Sequence, residues 1–216
     1  MTGPGPLARA DAVLRGRPVR TPWALALGCA VGYGGVMGSF GGVEGERAGQ
    51  VALSAIKLPM LLAATTLLAL PSFFVANTLV GVRRDFGRAL RAVIASQAAL
   101  AIVLAALAPL TALWYASTDD YPAAVLYNGG ALLAASLGAQ SVLRRLYRPL
   151  IAADPRHRWP LRAWVVLYAF VGIQLGWTLR PFLGSPGEPV RFFRGGEFEN
   201  AYVIVARLAW GLALRR

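Results

Sequence analysis

LPMLLAATTLLALPSFFVANTLV, Leu58 to Val80, contains no charged residue. As a helix rising about 1.5 Å per residue it extends about 34 Å, more than the roughly 30 Å of a bilayer's hydrocarbon core. Four further stretches have the same character: Trp23 to Gly42, Ala92 to Tyr115, Ala123 to Leu143 and Ala163 to Leu179. The last is the shortest and still reaches about 26 Å, enough to cross with anchoring side chains at its ends. A sixth, Ala201 to Leu214, carries Arg207 at its middle. Arg215 and Arg216 follow it and favour a short crossing; a half-span or an interfacial helix are the alternatives. The expectation is an all-α fold, a polytopic transmembrane helical bundle with five or six membrane-crossing helices. Residues 1–22 form a basic cytoplasmic segment, and residues 23–216 a single transmembrane domain.

The composition agrees. Of 216 residues 56% are hydrophobic, and the mean hydropathy is +0.53. The net charge of +12 would point to nucleic acid in a soluble chain. Here the basic residues fall between the apolar runs, where they set orientation, so no nucleic-acid partner is implied. Arginines crowd the N-terminal segment, VRRDFGR (Val82 to Arg88) and RRLYRPLIAADPRHRWPLR (Arg144 to Arg162); STDDYP (Ser117 to Pro122) has none. By this asymmetry the N-terminus and both arginine-rich connections face the cytoplasm, and STDDYP faces outward beside an aromatic belt of Trp114, Tyr115 and Tyr121. The scarcity of lysine, with Lys57 alone, and the abundance of Ala, Gly, Arg and Pro point to a bacterial inner membrane. The single cysteine, Cys29, excludes an internal disulfide; ALGC ahead of it is a poor lipoprotein cleavage site, and an uncleaved first helix fits better.

Small residues recur at four-residue spacing: Gly28 and Gly32, then Gly34, Gly38 and Gly42, with Gly130, Ala134 and Gly138 in the fourth run and Gly172 and Gly176 in the fifth. Helices in lipid associate through close backbone approach, which this spacing permits. The contacts are read mainly as intramolecular, with a homo-oligomer or another membrane protein as the other possible partner. Pro59, Pro71 and Pro109 lie in or beside the runs, where a lost backbone hydrogen bond bends a helix.

Polar side chains fall at two depths. Asn77, Gln97 and Gln140 sit towards the cytoplasmic side, Asn128 and Gln174 towards the outer side. They read as interhelical glue, or alternatively as layers lining a polar conduit. No Asp or Glu lies inside any of the five runs, which argues against proton- or ion-coupled transport, whose relays use intramembrane carboxylates. Arg180 ends the fifth run directly before Pro181, a position biased away from helix. It either marks the helix end, snorkelling to the head groups, or joins Lys57, Arg191 and Arg194 in an outward-facing site for an anion or anionic lipid. In that second reading Asp119, Asp120, Glu197 or Glu199 supply counter-charges, and Pro181 to Asn200 forms a folded lid or re-entrant loop.

Enzyme chemistry finds little footing. His157 is the only histidine, so no HExxH metal site exists, and there is no GxSxG and no phosphate-binding loop. Asp119–Asp120 is the only adjacent carboxylate pair, and such neighbours are more often turn residues. No cofactor or metal is expected.

YGGVMGSF (Tyr33 to Phe40), ALSAIKLPMLL (Ala52 to Leu62), LPSFFVANTLVG (Leu70 to Gly81) and FVGIQLGWTLRPFLG (Phe170 to Gly184) resemble uncharacterised bacterial multi-pass membrane proteins, a likeness that brings no activity with it. GVRRDFGRALRAVIASQ (Gly81 to Gln97) also resembles the Yip1-type membrane domain. That resemblance implies a membrane-organising or partner-binding role with no catalytic residues. The expected function is therefore non-enzymatic membrane organisation or partner binding; a small oligomeric channel or facilitator is the alternative, and a lipid-modifying enzyme the third.

Overall fold

A computed structural model describes residues 5–16, 22–45, 47–184, 190 and 192–193. Arg191, Arg194 and the sixth apolar run lie outside the described residues. Among the described residues six α-helices follow in order: α1 (Pro6–Leu14), α2 (Pro22–Gly38), α3 (Arg47–Leu79), α4 (Phe86–Ser117), α5 (Tyr121–Ala153) and α6 (Arg158–Thr178). Short 3-10 turns at Arg83–Asp85 and Pro155–His157 link α3 to α4 and α5 to α6. No strand occurs among the described residues. The segments Arg47–Leu79, Arg83–Ser117, Tyr121–Ala153 and Pro155–Thr178 are each long and apolar enough to cross a membrane; α2 is apolar but shorter. The chain is a bundle of helices with membrane-spanning character.

The helices outrun the apolar stretches. α3 begins eleven residues before Leu58, and α5 continues past Leu143 through three arginines to Ala153. Ala, Arg and Gln are good helix formers, so helix continues where hydrophobicity stops. At 33 residues α3 is about 50 Å long. Pro59 and Pro71 in α3, Pro109 in α4 and Pro149 in α5 all lie inside continuous helix.

The helices stand in the order α5, α4, α2, α3, α6. α2 packs extensively on both α3 and α4, α4 on α5, and α3 on α6, whereas α5 and α6 touch only slightly. One core lies towards the α4–α5 turn, built by Tyr33 and Met37 of α2, Phe40 just beyond it, Leu58 and Leu61 of α3, Leu104 of α4 and Ala135 of α5. A second lies towards the arginine-rich, basic end, where Phe73 meets Trp164 edge-on at 5.1 Å and Tyr147 and Val93 close around them. The ladder glycines divide sharply. A Cβ on Gly38 would come 2.7 Å from the Gln50 carbonyl oxygen and from Val51 Cα, and one on Gly34 would run into the Ser54 carbonyl. Gly28 and Gly32, the other ladder of the same run, meet nothing within 4 Å.

α1 is no free tail. Its Val13 is buried against Ala98, Ala99 and Ile102 of α4 and Val142 of α5, with Leu25, Ala26 and Cys29 alongside. On its outer face Arg15 Nε donates to Asp11 Oδ1 at 2.7 Å. Apolar residues inward and charges outward are what an interfacial amphipathic helix requires.

Candidate functional site

The end of the bundle near the α4–α5 turn collects polar groups from four helices. Gln50, Ser54 and Lys57 stand on successive turns of one face of α3, and all three are buried. They face the chain that leaves α6. Lys57 Nζ donates to the Pro181 carbonyl at 2.8 Å. Gln50 Nε2 donates to the Phe182 carbonyl at 3.2 Å and to Ser54 Oγ at 3.0 Å, and Ser54 Oγ also donates to the Phe182 carbonyl. The Lys57 ammonium further lies over the Phe192 ring, 4.9 Å from its centroid. A Cβ on Gly184 would come 2.8 Å from Arg47 Nη1, so Arg47 at the start of α3 backs the same segment. Three side chains thus clamp residues 181 and 182 against α3. These carbonyls have left the helix without partners of their own, and in a bundle facing lipid an unsatisfied carbonyl is costly.

Beside the clamp lies a buried hydrogen-bonded cluster. Asn128 Nδ2 donates to the Tyr115 hydroxyl at 2.5 Å and to the Ala124 carbonyl at 2.7 Å. Tyr33 donates to Asn128 Oδ1 and receives Thr111 Oγ1, both at 3.4 Å. Phe40 caps the cluster edge-on to Tyr115 at 5.1 Å. The cluster ties α2, α4 and α5 together.

The sequence-predicted residues are placed differently from one another. Lys57, which directly precedes the apolar run beginning at Leu58, lies inside α3 and is fully buried. Arg180 stands two residues beyond α6, its guanidinium over the Trp177 ring at 3.5 Å; its Nε has no hydrogen-bond partner among the described residues. Lys57 and Arg180 therefore flank residue 181 but turn to different groups. Gln97 accepts the Tyr168 hydroxyl at 2.6 Å, bridging α4 to α6. Asn77 donates to the Phe73 carbonyl one turn back, at 2.8 Å. Gln140 Oε1 is buried with no partner among the described residues. Gln174 lies near the end of α6. No hydrogen bond joins any two of Asn77, Gln97, Gln140 and Asn128, so these amides act separately. Asp120, from the acidic pair, caps α5 by accepting from the Ala123 N–H at 3.4 Å.

His157 is buried in the 3-10 turn before α6, its Nε2 3.4 Å from Asp85 Oδ2 and its ring edge-on to Tyr147. This pair joins the two arginine-rich turns to each other. Among the described residues no three of His, Cys, Asp and Glu come together as a metal site.

Gln50, Ser54 and the tyrosine cluster were not singled out in the sequence. The spacing 50, 54, 57 was the available signal: a polar stripe one helical face wide, masked because all of it lies ahead of the apolar run that begins at Leu58. No protein-family model, no curated protein and no solved structure matches the chain.

Proposed function

We propose that the chain is a non-enzymatic component of a bacterial inner membrane. It crosses five or six times with its N-terminus in the cytoplasm, and it organises the membrane or holds a partner. The observation that carries this reading is the use made of the polar groups near the α4–α5 turn. Lys57, Gln50 and Ser54 end on main-chain carbonyls of the same chain, and Asn128 ends on Tyr115 and Ala124. Groups so engaged fix the bundle's shape and are withdrawn from any solute. No Asp or Glu stands within α2 to α6 to carry a proton or bind a cation, and the open faces at Gly28, Gly32, Gly129 and Gly130 leave room for a neighbouring helix. The likeness of Gly81 to Gln97 to the Yip1-type domain agrees with the same role.

A small oligomeric channel or facilitator is the second reading. It is favoured by buried polar atoms near the basic end that have no partner among the described residues: Asn77 Oδ1, Gln140 Oε1 and Tyr147 Oη. Flux of cations and small anions into liposomes carrying the purified chain separates the two. The proposed function expects permeability equal to that of empty liposomes for the parent and for Arg180→Gln. Flux above that background, changed by Arg180→Gln, establishes the channel instead.

A further inference from the structure

α5 and α6 leave their shared turn side by side, yet each packs mainly on another helix, α5 on α4 and α6 on α3. Between them at the basic end opens a cleft of about 500 Å³, lined by Arg144 of α5 and by Arg158, Leu161, Arg162, Val165 and Val166 of α6. Positions 158, 162, 165 and 166 share one face of α6. Charge occupies its first turns and branched apolar side chains follow towards the helix's middle. All three arginines are exposed, and none is paired with a carboxylate among the described residues. Asp85 is engaged by Arg88 and His157, and Asp154 accepts from the Arg156 N–H.

Orientation alone requires arginines at this end of the bundle. It does not require arginines of two different helices to converge on one cleft that continues as an apolar wall; Arg145 and Arg148 of the same helix satisfy orientation without lining it. We propose that the α5–α6 cleft binds an anionic phospholipid, with its phosphate among Arg144, Arg158 and Arg162 and an acyl chain along Val165 and Val166. Guanidinium groups match phosphate oxygens in geometry as well as charge. The apolar wall, with Val166 67% exposed, selects a lipid over a free anion. Basic pockets between helices at a membrane surface are suited to such head groups.

The test is native mass spectrometry of the purified full chain, titrated with phosphatidylglycerol and with phosphatidylcholine of the same acyl chains. Preferential retention of phosphatidylglycerol is expected. Each arginine near an anionic head group contributes about fivefold, so the triple variant Arg144→Gln, Arg158→Gln, Arg162→Gln weakens that retention about a hundredfold. Arg83→Gln with Arg84→Gln, at the other basic turn, leaves retention within about twofold. Val166→Trp keeps every charge and fills the apolar wall; it too displaces the lipid, and it decides the matter if the triple variant does not fold. Equal retention of the two lipids, equal loss in the control variant, or full retention in Val166→Trp overturns the proposal. Release of phosphatidylglycerol by millimolar inorganic phosphate overturns the lipid in favour of an anion site.

Discussion

Lys57 is the chain's only lysine, and its ammonium is engaged by the carbonyl of Pro181, 124 positions further along. A hydrogen bond from a charged donor contributes about 1.5–3 kcal/mol. Lys57→Met keeps the apolar stem and removes the donor. It is expected to lower stability by about 1–3 kcal/mol and to quicken alkylation of a cysteine placed at Gly184, both measurable in detergent by thermal melting and maleimide labelling. Unchanged labelling would mean that Gln50 and Ser54 hold the segment unaided. Asn128→Leu leaves Tyr33 and Tyr115 short of a partner and is expected to cost about 1 kcal/mol, in line with interhelical hydrogen bonds elsewhere in lipid; an unaltered melting temperature would contradict it. Reading charge as a boundary works for Arg83 and Arg84, which stand in the turn between α3 and α4. It misplaces Lys57, because a charge satisfied by a distant carbonyl can lie inside a helix. No local pattern announces the partner.

Among the elements, α2 and α3 show how far a spacing rule reaches. Small residues every fourth position announced a close helix contact, and Gly34 and Gly38 make it. The rule is silent on which glycines face a neighbour, because helix rotation is settled by packing against the whole bundle. Gly38→Leu would drive a side chain into the α3 backbone at Gln50 and Val51. It is expected to abolish recovery of monodisperse protein in size-exclusion chromatography. Gly32→Leu points into open space and is expected to leave the folded monomer intact; loss of a larger assembly in that variant would locate the partner on this face. The turn after α3 needs glycine for another reason. Gly81 has φ +83°, and the Val82 N–H closes the helix on the Asn77 carbonyl at 3.0 Å. A side chain in this left-handed conformation costs about 1–2 kcal/mol, so Gly81→Val should lower the melting temperature where Gly87→Val, within α4, does so less. Equal losses would deny the turn this special geometry.

At the scale of the whole molecule, hydrophobic run length was sufficient to announce a helical bundle with membrane-spanning segments. The order in which the helices stand was not legible, since in lipid every apolar face is equally welcome and neighbour choice falls to small residues and single hydrogen bonds. The proposed orientation has a direct check. With Cys29 replaced by serine, a cysteine at Asp119 is expected to react with an impermeant maleimide added outside intact cells, and one at Arg84 only after lysis. The reverse pattern would invert the bundle.

Val13 fits a socket whose walls are Ala98, Ala99, Ile102 and Val142. The ribosome makes α1 first, but the last wall of its seat emerges only with α5. α1 must therefore wait while α2 to α5 are made before its seat is complete. Nascent chains arrested before Val142 should leave α1 open to protease, and chains arrested after α6 should protect it, so this peripheral helix serves as a reporter of the pairing of α4 with α5.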